Sequence, residues 1–416
     1  MDQLHRRFTT EQVRALLQGY CQGTISRVEL EEIMGIGKTR LFAMLKLYRR
    51  GPDAFSLTYE RATPAKLLTN VETEIEKELR REQELVDDRR LPISGYNYSA
   101  LRDRLAQRGI KVSLPTIIDR AKRLGCYKPH RKGKVHDREV VTSAVGALVQ
   151  HDASLHLWSP FAEKKWTLIT SIDDYSRKLL FADFFEHETS WAHIQAAQAL
   201  MQVYGLPARY YVDNLRVFRF IQGRDSVWRK HVLETDDVDP QWRQVMRILG
   251  VDVTYALSPQ AKGKVERPYR WLQDRIVRTC ALEKLISLEE VRSVLRAEVD
   301  RYNNHQIHST TGEIPSMRFE QAKAAGRTLF RPFVLPKPYT SSKDVFCLRE
   351  TRMVDAYRHI SLFGHEIDAP HAPLREYVEV HLVPDVIRQL MDVRIWSNNK
   401  MVHSSAYPLQ EFRVHF

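Results

Sequence analysis

The order of apolar runs in the middle of the chain constrains its fold more than any other feature of the sequence. Three apolar runs follow one another closely, at 144–152, 166–172 and 179–185. Connections this short favour neighbouring antiparallel strands. The elements that follow alternate in type: a helix at about 189–204, strands at 209–212 and 251–255, and helices at about 264–280 and 288–303. This order predicts an α/β unit with a mixed five-stranded sheet.

The first third of the chain carries most of the positive charge. The whole chain has 64 Lys and Arg against 52 Asp and Glu, a formal net charge of +12. Residues 1–140 hold 28 Lys and Arg against 19 Asp and Glu, which accounts for +9 of that charge. Such asymmetry favours a polyanionic partner such as nucleic acid, and the plain alternative is a basic, soluble surface.

The N-terminal part, 1–55, has the pattern of a helix-turn-helix domain. Ser26 is suited to cap a short helix that runs to Met34, and the glycines of 35–37 interrupt it. A basic amphipathic helix resumes at 38–50. A helix, a tight glycine turn and a basic helix are typical of a DNA reader.

A second unit of this kind is predicted within 65–135. An acidic helix at about 71–88 precedes helices at 99–108 and 113–124, the last of which has Ser113 as its cap. The stretch from Lys111 to Lys134 contains eight basic residues and a single acid, which favours contacts with phosphates. A plain helical hairpin is the alternative for each unit.

Short strands and turns return in the C-terminal part, and their spacing predicts a small β-barrel. We therefore expect a multidomain chain with two all-α domains, an α/β core and a barrel, at 1–55, 65–135, 144–320 and 331–416. The four cysteines form no CxxC pair, which disfavours a disulfide framework and fits a reducing compartment. The segment MDQLHRRF lacks an apolar signal region, and no run approaches the about 18 apolar residues of a membrane span, so we expect a soluble, cytoplasmic protein without a membrane partner.

Three acids stand where strands and helices of the α/β region meet. Asp152 ends the first apolar run, Asp213 directly follows the fourth strand, and Glu266 begins the helix after the fifth. Three converging carboxylates without His or Cys companions suit Mg²⁺. Two such ions about 3.5–4 Å apart can activate a hydroxyl and stabilise the leaving oxygen of a phosphodiester.

Each acid also has an ordinary explanation. Asp152 can end a strand, Asp213 can form a turn, and Glu266 can form a helical ion pair with Arg270. Other acids compete for the role, namely Asp173, Asp174 and the run 234–239, which we interpret as a solvated loop.

Five ordered motifs carry a family resemblance. They are VQHDASLH at 149–156, SIDDYSRKLLFADFF at 171–185, RYYVDN at 209–214, SPQAKGKVER at 258–267 and YNNHQIHSTTGEIPSMRF at 302–319. Together they resemble the DDE transposases of bacterial insertion sequences, which share a catalytic core with retroviral integrases.

The resemblance implies a ribonuclease H-like core in which Asp152, Asp213 and Glu266 are the catalytic, metal-binding triad. It implies two Mg²⁺ ions, which Mn²⁺ can replace, and the hydrolysis and strand transfer of DNA. The implied partners are the double-stranded DNA of element ends and target and further copies of the chain, while the need for a helper ATPase stays open. The implied location is the bacterial cytoplasm, with nucleoid association when the protein is bound to DNA.

The sequence departs from the family pattern in places. Between Asp213 and Glu266 lie 52 residues, more than in the retroviral members, which predicts an insertion within 216–248. Leu215 follows the Asp-Asn pair where glycine is often found, and the His/Cys zinc domain of retroviral integrases is absent.

Basic residues surround the triad and the helical domains. Since proline lacks an N–H, Pro268 predicts that the catalytic helix begins near Lys264 or Val265, with Glu266 in its first turn. Residues predicted to contact DNA are Lys38, Arg40, Arg120, Lys122, Arg123, Lys128, Arg131, Lys132, Lys134, Lys262, Lys264, Arg267 and Arg270.

Two other functions fit parts of this pattern. A non-catalytic, sequence-specific DNA-binding regulator derived from a transposase would keep the helical domains and need none of the acids. A ribonuclease H-like nuclease acting on RNA–DNA hybrids would keep the acids, and the predicted readers of duplex DNA disfavour it.

Overall fold

A computed structural model describes residues 4–57, 67–129, 142–212, 241–255 and 263–412, with the backbone alone at 5–6 and 263–268. The chain divides into two compact units, Met1–Glu74 and Ile75–Phe416. The predicted domain boundaries within them stay predictions.

The described part of the first unit contains four complete helices: α1 (Leu4–Arg7), α2 (Thr10–Cys21), α3 (Arg27–Met34) and α4 (Lys38–Arg50). The predicted cap is present, because Ser26 and Glu29 form a reciprocal capping box at the start of α3. Gly35 ends α3 with a φ of 61°, a left-handed conformation that glycine adopts without strain. The helices enclose a core that includes Val13, Leu17 and Leu41. The role of this unit as a DNA reader stays a prediction.

The second unit begins with three helices: α5 (Thr69–Asp87, shared with the end of the first unit), α6 (Tyr98–Gln107) and α7 (Leu114–Arg123). Ser113 caps α7 by accepting a hydrogen bond from the backbone of Thr116, as its position predicted. One face of α5 buries Leu79 together with two glutamates, Glu78 and Glu82. These acids are paired with arginines, which satisfies the condition under which a charge can be buried.

The predicted mixed sheet is confirmed and has five strands in the order β3-β2-β1-β4-β5. The strands are β1 (Val149–His156), β2 (Trp166–Asp173), β3 (Leu179–Phe185), β4 (Arg209–Val212) and β5 (Asp252–Tyr255). The first three form the expected antiparallel meander, and β1, β4 and β5 lie parallel. β1 is therefore the central strand and is flanked by one antiparallel and one parallel neighbour.

Helices cover both faces of the sheet: α8 (Ser190–Tyr204), α9 (Gln241–Ile248), α10 (Gly263–Glu283), α11 (Leu288–Asn304) and α12 (Pro315–Ala324). On one face Ala192 and Ala196 of α8 pack against Ile169 of β2. On the other, Leu272 of α10 and Leu295 of α11 enclose a second core with the sheet. Among the described residues no helix has the length and apolar character that crossing a bilayer requires.

Helix α9 lies between β4 and β5, where the sequence analysis had predicted no helix. Trp242, Val245 and Met246 are buried against the sheet, whereas the polar residues of this helix lie on its other side. The spacing of these three residues is that of one helical face, and the short length of the helix and its many polar residues concealed the pattern. Of the predicted insertion within 216–248, residues 216–240 lie outside the described part of the chain.

The C-terminal part contains six strands: β6 (Leu348–Met353), β7 (His359–Leu362), β8 (His365–Asp368), β9 (Tyr377–Asp385), β10 (Leu390–Ser397) and β11 (Lys400–Pro408). They form a four-stranded sheet in the order β11-β10-β9-β6 and a separate β7-β8 hairpin. Ile360 and Ile367 of the hairpin share one core with Val380 and Val393 of the sheet. Closure of these strands into a barrel stays a prediction.

Candidate functional site

Asp152 lies on the central strand, on the face that α10 covers. It is half-buried and pairs across the β1–β2 ladder with Thr170. Side chains alternate along a strand, so Asp152 and His156 lie on the same face. His156 Nε2 is 2.8 Å from Gln273 Nε2 of α10, which identifies that face as the one against α10.

A buried tyrosine of α10 contacts the backbone of Asp152 directly. The Tyr269 hydroxyl donates a hydrogen bond to the Asp152 carbonyl oxygen, and the Leu168 carbonyl oxygen lies 3.4 Å from the same hydroxyl. Burial, and next the negative charge of Asp152, raise the pKa of Tyr269 well above its usual value. The phenol therefore stays protonated and remains a donor. Tyr269 was not among the residues predicted from the sequence. It follows Glu266 by three residues, and on a helix this spacing places the two side chains on neighbouring turns, which could have indicated a role for it.

Glu266 lies on the described backbone of α10, and its side chain is outside the described part of the structure. Helix α10 begins at Gly263, so Glu266 is in its first turn as predicted. Pro268 is the sixth helical residue, however, and the helix begins one residue earlier than the proline had indicated. The absent N–H of Pro268 removes the bond that the Lys264 carbonyl would accept, and the packing of later residues such as Leu272 anchors the helix in its place.

Asp213 lies outside the described residues, which end in this region at Val212. Strand β4 runs parallel to β1, and Tyr211 is paired with Gln150. The described part of β4 therefore ends next to the part of β1 that directly precedes Asp152.

The competing acids at the end of β2 have structural partners. Asp173 is buried and accepts hydrogen bonds from the Gly146 backbone at 2.8 Å and from the Ser176 hydroxyl at 2.6 Å. Its pKa is raised, chiefly by burial. Asp174 accepts from Gln150 Nε2 at 2.6 Å and pairs with Arg177 at 3.2 Å. Both acids close the turn between β2 and β3, and the run 234–239 lies outside the described residues.

Behind Asp152, on the opposite face of the sheet, runs a chain of buried polar groups. His151 joins Ser171 Oγ through Nδ1 and His193 Nδ1 through Nε2, at 2.8 Å each. His193 Nε2 in turn lies 3.4 Å from Glu188. The His151 ring also stacks on Trp242 of α9. These contacts bind β1 to α8 and α9, and no local sequence pattern predicted them because the partners are far apart along the chain.

The predicted DNA-contacting residues have different surroundings. Lys38 and Arg40 of α4 and Arg270 of α10 are exposed. Arg120 and Arg123 of α7 both pair with Asp119, at 2.6 and 2.9 Å, which offsets part of their charge. The remaining candidates lie outside the described residues or have undescribed side chains: Arg131, Lys132, Lys134, Lys262, Lys264 and Arg267.

Lys122 and Lys128 belong to an aromatic ladder. Tyr96, Tyr98 and Tyr127 stack with ring centroids about 6 Å apart, at 5.9 and 6.1 Å. The Lys128 ammonium lies 5.7 Å from the Tyr96 ring and the Lys122 ammonium 5.0 Å from the Tyr127 ring, so a lysine caps each end. An aromatic ring orients an ammonium without neutralising its charge. Both lysines are exposed, Lys122 near the end of α7 and Lys128 five residues after the helix.

Within the described part of the chain, one trio of acidic and histidine side chains is close enough to hold a metal ion. Asp355, His359 and Glu366 place their ligand atoms within 4.8 Å of one another. They belong to the C-terminal strands and include none of the predicted triad. His359 Nδ1 lies 3.9 Å from the Asp355 carboxylate and 3.2 Å from the Glu366 carboxylate.

Comparison with known proteins agrees with the motifs. A protein named "Putative transposase y4bF" from Sinorhizobium fredii is 26% identical over 299 residues, which are 70% of this chain and 60% of the relative. The transposase for insertion sequence IS1202 from Streptococcus pneumoniae is 26% identical over 274 residues, 65% of this chain and 53% of the relative. The chain thus matches little more than half the length of these proteins. The similarity to transposases of insertion sequences is confirmed, and no family model matches the chain.

Solved structures with detectable similarity include two retroviral ones. A chain of the simian T-cell lymphotropic virus intasome in complex with PP2A regulatory subunit B56 gamma has a TM-score of 0.34 and 13% identity, covering 74% of this chain and 92% of its own length. The HTLV-2 integrase catalytic core domain in complex with magnesium has a TM-score of 0.31 and 14% identity, covering 42% of this chain and 96% of its own length.

Proposed function

We propose that this chain is a DNA transposase with a ribonuclease H-like core, in which Asp152, Asp213 and Glu266 hold two divalent cations. The observation that carries the proposal is the contact between Tyr269 and Asp152, because it brings the helix that carries Glu266 against the strand that carries Asp152. The sequence similarity to transposases of insertion sequences supports it independently.

The donor chemistry of the described part of this site fits magnesium. Asp152 offers a carboxylate that is half-buried on the face covered by α10, and hard oxygen ligands are those that Mg²⁺ prefers. Asp213 would add the second carboxylate from the residue after β4, whose pairing with β1 reaches Gln150, two residues before Asp152. Glu266 would add the third from the first turn of α10. When bound, two such cations supply an activated hydroxyl and stabilise the leaving oxygen of a phosphodiester.

The chain's own residues would bind and orient the DNA around this centre. Arg270 is exposed on α10, one turn after Glu266, where its charge would attract a phosphate. Helix α4 would contact the element ends through Lys38 and Arg40, and α7 and the segment after it would do so through Lys122 and Lys128. The reaction would first hydrolyse a phosphodiester to free a 3′ hydroxyl, which would then attack the target DNA.

The proposed transposition of DNA also implies roles for the other regions, a number of copies and a location. The helical regions 1–55 and 65–135 would be the DNA-binding domains, and the C-terminal strands a small barrel beside the core. Joining two element ends to a target would require at least two copies of the chain. The protein would act in the bacterial cytoplasm, associated with the nucleoid while bound to DNA.

The test is a strand-transfer assay with purified protein, its element-end DNA and Mg²⁺ or Mn²⁺. Asp152→Asn and Glu266→Gln should each abolish cleavage and strand transfer while leaving DNA binding intact. The matched control is Asp252→Asn, which neutralises an exposed carboxylate on β5 and should leave activity unchanged. If both triad variants keep full activity, the proposal is wrong. Specific DNA binding without cleavage by the unchanged protein would instead indicate a non-catalytic regulator. The sequence of the end DNA for these assays would come from inverted repeats that flank the gene.

A further inference from the structure

We infer that Tyr269 is a positioning residue of the proposed site, whose hydroxyl fixes the helix that carries Glu266 against the strand that carries Asp152. The inference rests on the proposed function. It assigns a role to a residue outside the carboxylate triad, and it concerns how accurately the triad is held rather than which residues compose it.

The geometry of the contact favours this role. The hydroxyl bonds to the backbone carbonyl of Asp152 itself, so the contact fixes the part of β1 from which the carboxylate projects. Tyr269 lies in the second turn of α10, three residues after Glu266, and it is 8% exposed. A rigid aromatic side chain with two rotatable bonds transmits position well, and a helical segment of three residues spans only about 4.5 Å along the axis. A displacement at Tyr269 would therefore displace Glu266 by a similar amount.

A second contact prevents α10 from rotating about the first. Gln273 lies one turn beyond Tyr269 on α10 and contacts His156. Asp152, Ser154 and His156 are alternate residues of β1, so their side chains share one face of the strand. Two contacts along one helix and one strand define both the distance and the angle between them. Hydrophobic packing of Leu272 and Ile276 also holds α10 to the sheet, but apolar contacts are not directional and tolerate small sliding movements.

Accurate positioning matters because a magnesium site tolerates little distortion. Mg²⁺ requires near-octahedral geometry with ligands at about 2.0–2.1 Å. Residues that orient metal ligands typically change metal affinity by about 10- to 100-fold when they are lost. Removal of the Tyr269 hydroxyl should therefore lower the affinity for metal, while the thermal midpoint of the metal-free protein changes little.

The experiment compares Tyr269→Phe with Tyr302→Phe in the full chain. Tyr302 is buried in the same core, and its hydroxyl has no hydrogen-bond partner among the described residues, so its removal controls for the loss of a buried phenol oxygen. Mn²⁺ binding is measured by electron paramagnetic resonance without DNA. The Mg²⁺ concentration that gives half-maximal strand transfer is measured separately, and thermal midpoints are recorded without metal.

For Tyr269→Phe we expect about tenfold weaker Mn²⁺ binding and an about tenfold higher half-maximal Mg²⁺ concentration, with a metal-free thermal midpoint close to that of Tyr302→Phe. The binding and strand-transfer assays run well below the lower of the two thermal midpoints, so that both variants are folded. If Tyr269→Phe binds Mn²⁺ as tightly as Tyr302→Phe, the inference is overturned. Asp152→Asn separates the two proposals: if it keeps Mn²⁺ binding and strand transfer, the proposed function fails, whereas an inactive Asp152→Asn beside an unaffected Tyr269→Phe overturns the positioning role alone.

Discussion

Arg278 of α10 and Glu82 of α5 form an ion pair in which both side chains are buried. Glu82 also accepts a hydrogen bond from Arg104 at 2.9 Å, and Arg278 also pairs with Asp274 at 2.9 Å. The pair joins the helices that precede the sheet to the later half of α10, whose first turn carries Glu266. Contacts of this kind are costly to break, because removal of one partner leaves the other charge buried.

Replacement of Arg278 by methionine should destabilise the protein strongly. Because Glu82 would remain buried with Arg104 as its remaining cation, we expect a loss of about 3 kcal/mol in the free energy of unfolding. Urea unfolding followed by tryptophan fluorescence measures this loss. The matched control is Arg80→Met, which breaks the exposed pair with Glu76 and should cost at most about 1 kcal/mol. Equal midpoints for the two variants would contradict the prediction.

The stability of the C-terminal sheet should fall as the pH drops below neutrality, through His381. This side chain is fully buried between Glu379, Asp344 and Arg349, and burial lowers its pKa below 6.5. The folded state therefore binds a proton at His381 more weakly than the unfolded state does. For this group the free energy of unfolding is highest above pH 6.5 and declines as the pH falls from 6.5 towards the lowered pKa. We expect a loss of about 1 kcal/mol per pH unit in that window.

The variant His381→Asn tests the origin of this pH dependence. Thermal midpoints of the unchanged protein and the variant are compared at pH 7.5 and 5.5. The difference between the two pH values should be clearly smaller in the variant, because asparagine does not titrate. The same pH dependence in both proteins would show that His381 is not responsible.

One cysteine per chain should react quickly with a thiol reagent under native conditions. Cys21 is exposed, whereas Cys126, Cys280 and Cys347 are buried. Burial raises the pKa of both Cys280 and Cys347 to about 12, which suppresses the reactive thiolate. Absorbance after addition of Ellman's reagent should report one fast thiol, and all four in denaturant. A rapid phase that survives Cys21→Ser would refute this assignment.

DNA binding should depend more on Lys128 than on Arg120. The Lys128 ammonium lies 5.7 Å from the Tyr96 ring, which does not neutralise it, whereas Arg120 pairs with Asp119, an acid that also pairs with Arg123. We expect Lys128→Ala to reduce the slope of log affinity against log salt by about 1, and Arg120→Ala to reduce it less. Fluorescence anisotropy with duplex DNA over a salt series measures both slopes. The control is Lys343→Ala, which removes a lysine already paired with Asp392 and should leave the slope unchanged. An unchanged slope in Lys128→Ala would exclude Lys128 from the DNA-contacting surface.

Much of the local structure followed from the sequence because local rules dictate it. Ser26 and Ser113 cap the helices that their positions predicted, and the β3 strand has the bounds of its apolar run. The ladder of β1, β2 and β3 followed from short connections. Helix α9 did not, because its apolar face was hidden in a polar stretch, and the start of α10 preceded the position that Pro268 indicated.

The sequence by itself determined most of the strands and helices around Asp152 and the carboxylate character of the candidate site, because capping, alternation and residue type act over a few neighbouring positions. Only the tertiary structure decided that Tyr269 bonds to Asp152, 117 residues away, and that His151 bonds to His193. It also decided that Asp173 and Asp174 form hydrogen bonds that close the turn between β2 and β3. Such contacts depend on how distant segments pack, and no local pattern records which buried donor meets which carbonyl.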